Sequence, residues 1–177
     1  MRWRFLNRAF NTLLFYGGWV LCLKEAAEGN PSYGLLVVFL IIIYHFYRST
    51  FRKADSLMLL LVLLVGPLSD SLYNKLGILE YHNHSEMSMM PPIWIFFLWG
   101  LFAVNINLFS WLRKRWVMAI LLGAFGGPAS YLSAVRLGSA HLTKPLPEAV
   151  MVIGGMWAVF LPAFMWINQQ LKDKFKG

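Results

Sequence analysis

Asp70 lies inside a strongly apolar stretch, LMLLLVLLVGPLSDSLY at residues 57–73. A carboxylate at membrane depth is costly, so such groups usually face a bundle interior or a water-filled cavity. Ser130 and Tyr131 lie at a similar depth in a second apolar stretch, where their hydroxyl groups could hydrogen-bond an ionised Asp70. Burial could instead keep Asp70 protonated. Asp70 and Tyr131 are therefore candidate catalytic residues, and Ser130 is a candidate ligand-binding residue. The alternative is that Asp70 ends its segment beside Asn74 and is hydrated.

The two stretches share a sequence pattern at an offset of 61 residues. Gly66-Pro67 recurs as Gly127-Pro128, and Lys75-Leu76-Gly77 recurs as Arg136-Leu137-Gly138. A proline inside a helix removes an amide donor and frees a carbonyl one turn earlier, so we predict kinks at both Gly-Pro pairs. The shared offset favours a tandem duplication of two helical hairpins. The alternative is chance, because Gly-Pro pairs and flanking basic residues recur in many membrane proteins.

A second group of polar residues lies in the cytoplasmic half of the apolar segments. Asn105 and Asn107 lie in the stretch at residues 91–112, and His45 ends an earlier stretch. Asparagine can join membrane helices by interhelical hydrogen bonds, which is the main role expected here. As functional alternatives, Asn107 is a candidate catalytic residue and Asn105 a candidate ligand-binding residue. His45, next to aromatic residues and close to Arg48, is predicted to be interfacial, with a proton relay as the alternative.

Aromatic and small residues give a third set of expectations. Trp99 is a candidate platform on which a ligand stacks, although core packing is its main expected role. Gly123 and Gly127 are four residues apart and permit close helix contact, as does the pair Gly154-Gly155. Cys22 lies inside an apolar run and is expected to be a small buried side chain.

The loop before residue 91 contains His82, His84 and Glu86. Such a set could bind zinc or copper, but a structural zinc site needs four ligands and only the distant His141 is available to complete one. We therefore predict a solvated loop and no metal site. The sequence contains no P-loop, no Gly-x-Ser-x-Gly and no Cys-x-x-Cys motif, and we predict no cofactor.

The composition indicates a membrane protein. Hydrophobic residues make up 58% of the 177 residues and charged residues 14%, against about half and about a quarter in soluble domains. The apolar residues form long runs, each near the roughly 20 residues that a spanning helix needs. We predict an all-α fold, a single polytopic domain over residues 1–177. Its six transmembrane segments are predicted at residues 6–23, 32–47, 55–73, 91–112, 116–136 and 149–168. Under the duplication, segments two and three match segments four and five.

The first segment could instead be a cleaved signal peptide, since it has a basic start and small residues after it. Lys24 and Glu25 interrupt the region before any cleavage site, and the apolar span is long for a signal core. We therefore expect a retained helix.

Basic residues at the segment ends predict the orientation. Twelve of the 16 Lys and Arg residues fall on one side of the predicted segments, and the loops are short, so the positive-inside rule applies. Both termini are predicted to be cytoplasmic. The net charge of +8 therefore indicates topology and contact with anionic lipid headgroups rather than nucleic-acid binding.

Several motifs resemble the bacterial domain-of-unknown-function family 2878. They are GPLSDSLYNKLG, PIWIFFLWGLFAVNINLFSWLRKRW and LLGAFGGPASYLSAVRLG, which together cover the region from Gly66 to Gly138 most closely. The family pattern Leu-Asn-His-Ser reads Ile-Asn-Leu-Phe at residues 106–109, which keeps Asn107 and lacks the His and Ser. The resemblance implies a multi-pass protein of the bacterial inner membrane. Genes of this family often lie beside genes of the cyclopropane-fatty-acid-synthase type, so it also implies a link to membrane lipid modification.

Three functions follow from these features. The first is a lipid-linked role, as an enzyme or an accessory subunit acting on acyl chains. The second is a small proton-coupled transporter with Asp70 as the proton carrier, which six helices would favour as a homodimer. The third is a scaffold that binds a partner membrane protein through the glycine face at Gly123 and Gly127.

Overall fold

The structure, a computed structural model, describes residues 2–82 and 90–175, with side chains from Ala9 onward. This part of the chain contains six α-helices, a 3₁₀ helix and two short strands. They are α1 (Arg2–Ala27), α2 (Ser32–Arg48), α3 (Arg52–Lys75), β1 (Leu79–Tyr81), α4 (Ile93–Asn105), the 3₁₀ helix Ile106–Leu112, α5 (Trp116–Leu137), β2 (Ala140–Leu142) and α6 (Leu146–Lys174). The predicted all-α class is confirmed, with the strands as an addition.

Four helical stretches are long and apolar enough to cross a membrane: α3, α4 with the 3₁₀ helix, α5 and α6. The helix α2 is apolar but shorter, at 17 residues. The predicted fourth segment differs locally, because its last seven residues form the 3₁₀ helix rather than an α-helix. Pro67 and Pro128 both lie inside helices that continue past them, and the kinks stay a prediction.

The helices α3 and α5 end in the same way, 61 residues apart. Gly77 and Gly138 have φ angles of 59° and 87°, a left-handed conformation that glycine adopts without strain. Beyond them, the amide of Ile78 donates to the Tyr73 carbonyl at 2.9 Å, and that of Ser139 to the Ala134 carbonyl at 3.0 Å. These are the bonds of a Schellman motif, which stops a helix and turns the chain back. The repeated basic-Leu-Gly triplet therefore leads each helix into a strand.

The two strands pair with each other in an antiparallel sheet. Leu79 lies opposite Leu142, Glu80 opposite His141, and Tyr81 opposite Ala140. Because the strands are themselves 61 residues apart, this register is symmetric about the central pair. His141 and Glu80 meet there with 2.8 Å between Nε2 and Oε2. The sheet joins the C-terminal ends of α3 and α5.

Glycines set the closest helix contacts, as the sequence predicts. A Cβ on Gly123 would collide with the Trp157 carbonyl, and one on Gly154 would lie 2.7 Å from the Ala124 carbonyl oxygen. This contact joins α5 to α6 within the chain. Gly155 differs from the expectation, because a Cβ there would have no neighbour within 4 Å. Cys22 is fully buried, as expected.

Candidate functional site

Asp70 is completely buried near the C-terminal end of α3 and lies at the centre of a hydrogen-bond cluster, the Asp70 centre. The Tyr131 hydroxyl of α5 donates to Asp70 Oδ1 at 2.9 Å. The Tyr81 hydroxyl of β1 donates to the same oxygen, and Trp99 Nε1 of α4 donates to Oδ2 at 2.5 Å. Asp70 is therefore an interior group, and the alternative of a hydrated residue at the segment end is wrong.

Tyr81 reaches Asp70 because the Schellman turn after α3 folds β1 back over the helix end. Burial away from water raises the pKa of Tyr81 well above its usual value, and the neighbouring Asp70 charge raises it further. The phenol is thus protonated at physiological pH and acts as a donor. Three neutral donors surround the Asp70 carboxyl group, and hydrogen bonds of this kind favour the ionised carboxylate against the cost of burying it.

Trp99 fits against α3 because residue 66 is glycine. A Cβ on Gly66 would overlap the Trp99 indole, which explains the glycine of this Gly-Pro pair as a close-packing residue. The other face of Trp99 stacks on Trp157 of α6, with ring centroids 5.1 Å apart and ring planes 10° from parallel. Gly127, the repeat counterpart of Gly66, makes the same kind of room for Trp157. Trp99 is thus both a core residue and a hydrogen-bond donor to Asp70.

Ser130 behaves differently from the expectation. Its hydroxyl donates to the Gly127 carbonyl of its own helix at 2.7 Å rather than to Asp70. A serine that bonds one turn back satisfies itself locally and stabilises no neighbouring helix. Ser130 nevertheless lines the cavity beside Asp70.

A cavity of about 110 Å³ lies beside Asp70. Its wall also includes Ser130, Tyr131 and Tyr81, and the rest is mainly aromatic. The other aromatic lining residues are Phe15, Trp19, Trp94, Trp99, Phe102 and Trp157. The cavity is therefore apolar except at the carboxylate and its hydroxyl neighbours.

A wider groove of about 390 Å³ adjoins this cavity between α1 and α5. The two spaces share the lining residues Phe15, Trp19, Phe102, Ser130 and Trp157. The outer rim of the groove is exposed on the surface of the helix bundle. Its exposed lining includes Tyr16, Gly126 and Ala129.

Two buried donors near the Asp70 centre have no partner in the described part of the chain: Trp157 Nε1 and the Tyr73 hydroxyl. Buried polar groups are nearly always hydrogen-bonded, so each such group requires an explanation. Trp157 lines both the cavity and the groove, where an acceptor on a ligand or a water would satisfy it. Tyr73 packs edge-on against Tyr131 with ring centroids 5.5 Å apart.

A second buried carboxylate, Asp55, lies at the other end of α3. It is 7% exposed. Its Oδ2 accepts a hydrogen bond from Ser49 Oγ at 2.5 Å and lies 3.0 Å from His45 Nε2. Lys172 Nζ of α6 forms an ion pair with its Oδ1 at 3.4 Å. These residues make the Asp55 network. Asp55 and Lys172 were not singled out in the sequence. His45 contacts Asp55, and its interfacial position stays a prediction.

Asn107 joins the Asp55 network from the 3₁₀ helix. Its Oδ1 accepts a hydrogen bond from Lys172 Nζ at 2.7 Å and one from Asn168 Nδ2 of α6 at 3.2 Å. The predicted interhelical role is therefore seen for Asn107. Asn105 differs, because its amide donates to the Leu101 carbonyl of its own helix at 2.9 Å. Both asparagines line a polar cavity of about 400 Å³ next to His45.

The structure brings Tyr131 and Trp99 to Asp70, and it places Asn105 and Asn107 at the opposite end of α3. No group of three or more His, Cys, Asp or Glu side chains that could hold a metal ion exists within residues 2–82 and 90–175. His84 and Glu86 lie outside the described residues. Whether any of these residues is catalytic stays a prediction.

Comparisons with known proteins give one match. A family described as "Protein of unknown function (DUF2878)" matches residues 8–163. No curated protein and no solved structure matches the chain. The matched region includes every residue of the Asp70 centre and, of the Asp55 network, all but Asn168 and Lys172. The chain belongs to the DUF2878 family.

Proposed function

We propose that the protein binds the apolar chain of a membrane lipid in the groove between α1 and α5, with the polar end of that ligand beside Asp70. The observation that carries this proposal is the shared wall between the groove and the cavity at the buried carboxylate. A ligand lying along this path would have its chain open to the bilayer and its polar end at the Asp70 centre. Most ligand sites combine a largely apolar lining with a few convergent polar groups.

The groove fits an extended chain because α5 presents small side chains along it. Gly126 and Ala129 leave the rim open, and a Cβ on Gly126 would meet nothing within 4 Å. The opposite wall is formed by Phe15, Tyr16 and Trp19 of α1. Flat aromatic faces and methyl groups make dispersion contacts with an acyl chain, and they offer it few polar groups.

The polar end of the ligand has two partners available. A carboxylate has about four acceptor positions, and three donors already bind Asp70, so one position on Oδ2 is left for a donor on the ligand. Trp157 Nε1 offers an unpaired donor on the same wall. A donor on the ligand would occupy the free position on Asp70, and an acceptor on the ligand or a water would satisfy Trp157. If the protein is an enzyme, Asp70 and Tyr131 would be the acid–base pair that acts on the bound lipid chain.

The groove can be filled without disturbing the helices. Gly126→Leu adds an isobutyl group to the groove, and Gly155→Leu is its matched control, because Gly155 also has open space around it and does not line the groove. We expect Gly126→Leu to remove most of the crosslinking between the protein and a phospholipid carrying a photoreactive group on its acyl chain. Gly155→Leu should crosslink like the wild type. Equal crosslinking of both variants would overturn the proposal.

We further propose that all six helices cross the bacterial inner membrane with both termini in the cytoplasm. Four helical stretches are long and apolar enough to span, and α2 is as apolar but shorter. The basic residues cluster at the ends that this topology puts in the cytoplasm. In this orientation the Asp70 centre lies in the outer half of the membrane and the Asp55 network at the inner edge.

Proton-coupled transport is a second candidate function, supported by a different observation. No lysine, arginine or histidine side chain in the described structure forms an ion pair with Asp70. An uncompensated carboxylate inside a membrane can take up and release a proton as part of a transport cycle. Proton flux into vesicles that depends on Asp70 would favour this function over lipid binding.

The third candidate function, a scaffold that binds a partner through the glycine face, has less support. Gly123 and Gly127 lie against Trp157 of the same chain, so this face is already occupied by α6. A partner protein or a second copy would need another surface.

A further inference from the structure

We infer that the cavity beside Asp70 receives a cationic headgroup, an amine or quaternary ammonium group carried on an apolar chain. This inference rests on the proposed function, because the same groove would hold the chain. It narrows the ligand from membrane lipids in general to cationic amphiphiles, including lipids whose headgroup ends in an ammonium group.

The charge of the Asp70 centre supports this ligand class. Asp70 is 0% exposed, and its three partners Tyr81, Trp99 and Tyr131 are neutral donors. Their dipoles stabilise a carboxylate, but they leave its net charge in place. The Asp55 network shows the usual solution within the same chain, where Lys172 supplies the opposite charge. A bound cation would supply it at Asp70, whereas an anionic headgroup would be repelled.

The walls of the cavity support it as well. Ring faces of tryptophan, tyrosine and phenylalanine attract cations through their quadrupoles, most strongly where water is excluded. Phe15, Trp19 and Trp94 line the cavity beside the stacked pair of Trp99 and Trp157. Aromatic side chains grouped around a site are the feature by which proteins recognise quaternary ammonium groups.

The cavity volume limits the size of the group. About 110 Å³ is somewhat smaller than an engineered cavity of about 150 Å³ that binds benzene, so it has room for a small branched group. A trimethylammonium group or a primary amine fits this limit. The primary amine would in addition donate to the remaining acceptor position on Asp70.

Two probes with the same chain separate charge from hydrophobicity. The first is dodecyltrimethylammonium, and the second is its uncharged carbon isostere with a tert-butyl group at the chain end. Binding of each radiolabelled probe to the intact protein is measured by equilibrium dialysis in dodecyl maltoside. We expect the cation to bind about tenfold to a hundredfold more tightly than its isostere. Asp70→Asn should remove this preference, and the exposed Glu28→Gln should keep it.

The possible outcomes distinguish the two proposals. Equal binding of both probes would overturn the cation site and leave the apolar groove standing. Binding of neither probe would overturn both. If Asp70→Asn fails to fold, the affinity ratio of the two probes for the wild-type protein decides the question without any variant. Binding of the cation that survives in a folded Asp70→Asn protein would also contradict the inference.

Discussion

The Asp70 centre and the Asp55 network are buried carboxylates at opposite ends of α3, and they are stabilised by different means. Asp55 has a lysine partner at 3.4 Å, a histidine at 3.0 Å and a serine hydroxyl. Asp70 has two phenols and an indole. Charges are balanced in the first case and remain unbalanced in the second.

This difference is the reason for proposing a function at Asp70 and a structural role at Asp55. A carboxylate that only joins helices is best served by a cation and further hydrogen bonds, as at Asp55. Burying an acid without a cation costs free energy. Proteins usually keep such an acid only where its charge has a function. The Asp55 network joins α2, α3, the 3₁₀ helix and α6 on one side of the molecule. The Asp70 centre adjoins a cavity and a groove, which a purely structural site does not need.

Removing the Asp70 carboxylate should have the largest effect on stability. Asp70→Ala leaves the donors of Tyr81, Trp99 and Tyr131 unpaired, and each buried unpaired donor costs about 1–3 kcal/mol, so we expect a loss of at least about 3 kcal/mol. Asp70→Asn should cost less, because its oxygen can keep both tyrosines and only the Trp99 N–H loses its acceptor. Denaturant unfolding in detergent measures both. The exposed Glu28→Ala serves as the control, and equal losses for the two Asp70 variants would contradict the three-donor geometry.

Breaking the ion pair at the other end should have an intermediate effect. Lys172→Met leaves Asp55 with only His45 and Ser49, and we expect a loss of about 2 kcal/mol because the pair is not fully buried. The double variant Asp55→Asn with Lys172→Met should lose at least about 1 kcal/mol less than the sum of the two single variants, because it leaves no unpaired charge buried. Lys174→Met, exposed and two residues away, should be near neutral. Additive losses in the double-mutant cycle would show that the pair contributes no specific coupling.

The meeting of Asp70 with Tyr131 could be predicted from the sequence, whereas most of the Asp70 centre could not. Depth along two apolar segments places these two side chains at one level, and the structure joins them at 2.9 Å. Tyr81 escaped prediction because it follows α3 in a three-residue strand, too short for a periodic signal. The clue to it was the repeated basic-Leu-Gly triplet, which ends both helices in the same turn and returns the chain over the bundle.

The Asp55 network escaped prediction for a different physical reason. Charged residues at the ends of apolar segments usually mark the membrane surface. Whether one of them points inward depends on the rotation of its helix, which neighbouring helices set. Asp55 and Lys172 are 117 positions apart in the chain, so no local pattern pairs them. The same limit applies to Trp157, whose stacking on Trp99 depends on the contact between α4 and α6.

The smallest effects should come from two tyrosines whose rings touch. Tyr131→Phe removes a donor to Asp70 and should cost about 1.5 kcal/mol in unfolding free energy, whereas Tyr73→Phe removes a buried hydroxyl without a partner and should stabilise the protein by up to about 1 kcal/mol. Tyr33→Phe, 71% exposed, is the neutral control. Opposite signs from one substitution in contacting rings would show that hydrogen bonding, and not ring packing, stabilises this centre. A loss on Tyr73→Phe would instead mean that its hydroxyl has a partner, a water or a ligand group, and would extend the polar part of the site by one turn of α3.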